Sequence, residues 1–172
     1  MKRVFVAVLL IGGLFSLAAC DRSGKEDKTQ APSGGAINFT LPSVDGSIVN
    51  FSDYRGKVVL VDFWATWCPP CRKMVPVLSE IYRKYSSRGV VVLGISLDRE
   101  GLEVLGPFVT DHRIPYKVLL GNDKVTKAFG GISSIPSLFM VDRSGKVVKK
   151  MIGYHSMEEL ENQLKKLSLI GS

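Results

Sequence analysis

The chain has 172 residues, 45% of them hydrophobic and 23% charged, which suits one domain with a substantial core and is too short for two comfortable ones. The formal charge of +7 comes from 23 basic residues against 16 acidic ones. Those basic residues are scattered, as at Arg72-Lys73, Arg83-Lys84, Lys149-Lys150 and Lys165-Lys166, which describes a solvated surface and argues against a nucleic-acid patch.

In chain order, the first segment is a leader. Lys2 and Arg3 precede a 16-residue apolar run, Val4 to Ala19, interrupted only by Gly12, Gly13 and Ser16. A membrane span wants about 20 apolar residues, so this run is short for one and reads as an export signal over residues 1–19. It ends Leu17-Ala18-Ala19-Cys20, which resembles the lipobox of bacterial lipoproteins. That resemblance implies cleavage before Cys20 and lipidation of its thiol. Asp21 resembles an inner-membrane retention signal, so the implied location is the outer face of the cytoplasmic membrane. Residues 20–36 are small, polar and without periodicity, and read as a flexible tether of about 20–24 Å r.m.s. span.

The folded unit is expected over 37–172. Residues 37–41 and 47–51 form two short strands around an Asp45-Gly46 turn. Val58 to Ala65 is a near-continuous run of strand formers, suited to burial on both faces. A helix follows from Pro69 to Ser87, with Met74, Leu78, Ile81 and Tyr85 on one face; Pro76 should kink it and Gly89 end it. Residues 90–98 form a second buried strand. Residues 99–113 are helical despite Gly101, Gly106 and Pro107. A strand at 116–121 and a short helix at 122–130 come next. Strands at 137–142 and 147–154 form a hairpin, and a last helix opens on Ser156 with Glu159 three residues on, a capping box. Met157, Leu160, Leu164 and Leu167 make its buried stripe. Strands alternating with helices imply a parallel sheet, to which the closing hairpin adds an antiparallel edge.

Residues 64–71 read Trp-Ala-Thr-Trp-Cys-Pro-Pro-Cys. Zinc would need two further ligands, and neither His112 nor His155 stands at ligand spacing; both are read as surface or satisfied interior residues. A redox pair has a mechanism. Cys68 falls where a buried strand turns into a helix, so unpaired N–H groups and the helix dipole favour its thiolate. Cys71, one turn in, is placed to resolve a mixed disulfide. Pro69 and Pro70 suit the first helical positions. With Cys20 lipidated, Cys68 and Cys71 would be the only free thiols.

The stretch from Val58 to Pro76 resembles the active site of the thioredoxin superfamily, and is similar in particular to the membrane-anchored TlpA/ResA-like thiol-disulfide oxidoreductases. That resemblance implies an α/β thioredoxin fold with an N-terminal β extension and an inserted βα unit, its mixed central sheet flanked by helices. It implies Cys68 and Cys71 as the redox-active pair and Pro136, after Ile135, as a cis-proline facing them. It also implies a monomeric enzyme with no small cofactor. The expected substrates are exported disulfide proteins such as apocytochrome c, with a membrane electron donor of the DsbD/CcdA type. Met74 stands where the family usually has Glu, and Asp62 where it usually has Asn. Asp62 is therefore expected to take or relay the proton of Cys71, the alternative being a structural aspartate hydrogen-bonded within its strand. Phe63, Trp64 and Trp67 are read as packing around the motif, with Trp67 shielding the thiolate.

Two other functions fit parts of the chain. Residues 38–65 also resemble thiol peroxidases, but Ala65 and Val61 stand where that group wants Thr and Pro. A copper chaperone of the Sco-like kind wants a three-residue spacer and a liganding histidine.

Overall fold

The computed structural model describes residues 36–166. The expected signal peptide, Cys20, all but the end of the tether, and Leu167 lie outside the described residues.

The two short strands, β1 (Thr40–Pro42) and β2 (Ile48–Asn50), pair antiparallel in a sheet of their own. The chain then runs through β3 (Val58–Trp64), α1 (Pro69–Tyr85), β4 (Val90–Ser96), α2 (Leu102–Asp111), β5 (Lys117–Leu120), α3 (Asp123–Ala128), β6 (Ser137–Val141), β7 (Val147–Ile152) and α4 (Met157–Lys166). The main sheet has the order β5-β4-β3-β6-β7. β3, β4 and β5 are parallel, whereas β6 and β7 run antiparallel. The hairpin thus occupies the whole far side of β3, and the sheet is mixed.

This topology sets the layers. β3-α1-β4 and β4-α2-β5 step across the sheet in one direction, so right-handed crossovers put α1 and α2 on the same face. Returning from β5 to the far side of β3 sends α3 over the other face. The pleat of β3 separates two cores. Val58, Leu60 and Trp64 pack with α1, α2 and α4, while Val59, Val61 and Phe63 pack with α3 and the β1-β2 hairpin. Every residue of β3 is buried, as a strand covered on both faces requires.

Several boundaries depart from the sequence reading. α1 continues through Pro76 as a single element, and the turn after it tightens to 3-10 geometry over Ser86–Arg88 before Gly89, at φ 82°, ends it. Of the capping box, the Ser156 half forms: Glu159 N–H donates to Ser156 Oγ at 3.2 Å, while the Glu159 carboxylate bonds His155.

The carboxyl ends of β3, β4 and β5 are drawn together by tight backbone contacts. Leu97 N–H donates to Trp64 O, and Gly121 N–H to Ser96 O, both at 2.8 Å. A Cβ on Gly121 would lie 2.5 Å from Ser96 O, a backbone atom that cannot step aside. Gly121→Ala is therefore expected to lower unfolding free energy by about 1–3 kcal/mol, the usual cost of overpacking, as measured by urea denaturation.

Candidate active site

The corner between β3 and α1 is built by a carboxylate that the sequence reading did not single out. Asp98 Oδ2 accepts from Thr66 N–H at 3.0 Å and from Ser96 Oγ at 2.7 Å, and its Oδ1 accepts from Thr66 Oγ1 at 2.7 Å. This clamp fixes the turn just before Cys68, whose own N–H donates to Ala65 O. No motif announced Asp98. The available signal was a polar Ser-Leu-Asp ending to the strand beside β3.

Cys68 is the N-cap residue of α1, and its Sγ accepts the Cys71 N–H at 3.3 Å. Sulfur thus takes the place usually held by a Ser or Asp oxygen. Pro69 and Pro70 fill the first helical positions, where a missing N–H costs no intrahelical bond. Cys68 and Cys71 form a disulfide, with a Cα–Cα separation of 5.2 Å. Cys71 is fully buried and Cys68 nearly so.

The Ile135–Pro136 bond is cis, and this loop faces the pair: Ile135 O lies 3.8 Å from Cys68 Sγ, placed to accept an S–H in the reduced form. Gly153 N–H donates to Pro136 O at 2.9 Å, so the segment after β7 closes the site on the next side. Among the expected aromatics, Trp64 and Phe63 are buried, on opposite faces of β3. Trp67 departs from expectation. It is 66% exposed beside Cys68, so it is not packed into the motif. The turn held by Asp98 sends it outward. Tyr154, next to Gly153, is 49% exposed.

Asp62 sits in mid-β3 between Gly94 and Leu138, on the face that packs against α1. It is buried, and its Oδ1 has no hydrogen-bond partner. That is unlike a carboxylate bonded into its strand. Desolvation pushes its pKa well above the ordinary range. Tyr116, packed over Gly94, is also shifted far upward, first by burial and then by the Asp62 charge.

Among the described residues, no group of three or more His, Cys, Asp or Glu could hold a metal ion. Val61 and Ala65, at the positions where a peroxidase pattern wants Pro and Thr, are fully buried apolar residues.

Comparison with known proteins agrees with this geometry. Residues 32–150 match the model of the AhpC/TSA family. The chain is 32% identical to the thiol-disulfide oxidoreductase ResA of Bacillus thuringiensis, over 96% of this chain and 95% of that one. It belongs to the ResA-like thiol-disulfide oxidoreductases of the thioredoxin superfamily. Among solved structures, a thiol:disulfide interchange protein from Chlorobium tepidum aligns with a TM-score of 0.72 and 31% identity, covering 80% of this chain and 97% of that one. The pneumococcal exposed lipoprotein thioredoxin from Streptococcus pneumoniae gives 0.67 and 27%, covering 76% and 99%. The chain is thus an enzyme of ResA type, carrying its Cys-Pro-Pro-Cys pair as a closed disulfide.

In this ResA-like chain Asp62 opposes folding at neutral pH. Its unfolded form ionises near pH 3.9, whereas the folded form holds its proton to a higher pH. Stability is therefore full below the unfolded pKa and falls as pH rises through the folded one. Asp62→Asn is expected to be more stable than wild type at pH 7, with its urea midpoint shifted upward. That gain should vanish below about pH 4, as followed by urea unfolding at both pH values.

Proposed function

We propose that this oxidoreductase works outside the cytoplasm as a reductant of disulfides in exported proteins, apocytochrome c among them. It would be lipid-anchored at Cys20, act as a monomer, and be recharged by a membrane thiol reductant of the DsbD/CcdA type. The observation that carries the chemistry is the disulfide at the N-terminus of α1 with the Ile135 carbonyl facing it. The expected leader over residues 1–19, just before Cys20, and the neighbour named as an exposed lipoprotein support the location.

In the reductive half-cycle Cys68 attacks. Reduction breaks the Cys68–Cys71 bond and leaves Cys68 as the thiolate, stabilised by the α1 dipole and by the Cys71 N–H, since Pro69 and Pro70 have no N–H to offer. Cys68 attacks a substrate sulfur and forms a mixed disulfide. Cys71 then attacks Cys68 Sγ, closes the internal disulfide and releases the substrate as a thiol. The Cys71 thiol must lose its proton in a fully buried position, and Asp62 on the facing strand is the acceptor we assign. Trp67 and Tyr154 offer apolar surface around the pair for an unfolded substrate chain.

Reduced Cys71→Ser is expected to accumulate mixed disulfides with a scrambled, disulfide-bonded protein substrate, and Cys68→Ser to accumulate none, as read on non-reducing gels. Asp62→Asn should slow resolution by about 100-fold, the lower end of the usual range for general-base catalysis. The reduction potential tests direction. A value as oxidising as that of DsbA, about −120 mV, would overturn the reductase assignment.

A further inference from the structure

Among the described residues, three buried side-chain polar atoms have no hydrogen-bond partner: Asp62 Oδ1, Trp64 Nε1 and His155 Nε2. The third belongs to a residue that the mechanism above does not use. His155 lies in the short segment between β7 and α4, which bridges the two halves of the active site. At one end Gly153 N–H donates to Pro136 O. At the other, His155 N–H donates to Met74 Sδ at 3.2 Å. Met74 is fully buried and stands three residues beyond Cys71 on the same face of α1. Side chains at that spacing have Cβ atoms about 5–6 Å apart and lean toward the helix N-terminus, so the Met74 thioether reaches back to the level of Cys71.

The ring itself has an inside and an outside. Its Nδ1 is 2.8 Å from Glu159 Oε1, and the side chains are 14% exposed for the histidine and 48% for the glutamate. A carboxylate on Nδ1 fixes that nitrogen as the donor and orients the ring, leaving Nε2 to face the interior. Glu159 also makes this contact from the capping-box position whose carboxylate would ordinarily reach back to Ser156 N–H.

We propose that His155, oriented by Glu159 and docked on Met74, is a positioning residue for the thiol chemistry, its imidazolium form stabilising the thiolate of the reduced Cys68–Cys71 pair. The inference rests on reading that pair as a redox couple. The balance closes without a further reactant. A partner dithiol gives up two electrons and two protons and becomes a disulfide. The Cys68–Cys71 bond breaks, one proton goes to Cys71, Cys68 remains a thiolate, and the second proton is held at His155 Nε2. Oxidation of the pair by substrate returns both. The elements packed around the ring carry few other charges. Asp62 lies on β3, exposed Lys73 on α1, and Lys149 on the α1 side of β7, with exposed Glu158 and Tyr154 alongside. Arg72 lies over the Phe108 ring, and the loop before β6 has no ionisable side chain.

The test is the thiolate content of the reduced full-length protein from pH 5 to 9, followed by thiolate absorbance and by the rate of iodoacetamide alkylation. For His155→Gln we expect a thiolate fraction about three- to tenfold below wild type on the acid side, since a positive charge facing the pair favours the thiolate. The offset should close toward the alkaline end of the range, once the imidazolium has given up its proton. Glu159→Gln, which keeps the ring but removes its partner on the surface, should shift the curve in the same direction by less. It carries the test alone if the histidine variant does not fold. Superimposable curves, or an offset of constant size at every pH, overturn the proposal, since a packing defect would not follow the imidazole titration. A wild-type pair that cannot be cycled reversibly between disulfide and dithiol overturns the redox reading itself.

Discussion

The sulfur of Cys68 caps α1. A helix start leaves several N–H groups without partners, and the nearest acceptor here is the atom that must also act as a nucleophile. A Ser or Asp oxygen would satisfy the cap and do no thiol chemistry. The same donor that stabilises the helix therefore lowers the energy of the sulfur anion, and the two demands cannot be separated by substitution. Much of the surrounding structure exists to hold that one atom in place. Asp98 locks the turn before it, Pro69 and Pro70 stiffen the turn after it, and the Ile135 carbonyl meets it from the cis-proline loop.

Around this cap the protein keeps ionisable groups in places where charge is costly. Asp62 is buried beneath α1 without a partner on Oδ1, and His155 presents an unpaired nitrogen to the interior beside Met74. Burial of this kind opposes folding. Both positions lie on the α1 side of the sheet, where protons must move when a buried sulfur is oxidised or reduced. A carboxylate raised by burial near a nucleophile, as Asp62 is, is a usual mark of a working site.

How much of this could be read from the chain alone varied with the kind of interaction. β3 was legible because a run of apolar residues broken only by Asp62 suits burial on both faces, and α1 because its apolar positions recur at helical spacing. The cysteine pair and Pro136 were legible through short local patterns. What stayed hidden depends on tertiary neighbours. Asp98 is 30 residues from Cys68 and acts through Thr66. Trp67 resembles a packing residue by composition, yet the clamped turn points it into solvent. His155 had no metal-like spacing, and its partners come from α1 and from one turn into α4. Hydrogen bonds that cross between elements leave no periodicity for a sequence to display.

The edges of the sheet are treated unequally. β5 is partly covered by the β1-β2 hairpin, with Ser43 bridging Leu119 and Val44 N–H donating to Val118 O. β7 carries no neighbouring strand on its outer side among the described residues, and its middle holds Lys149 and Lys150. Adjacent positive charges on a bare strand discourage a second copy from adding on in register. Under the function proposed above, chains are to be captured at the cysteine end alone, and these lysines keep the bare flank of the sheet from templating them.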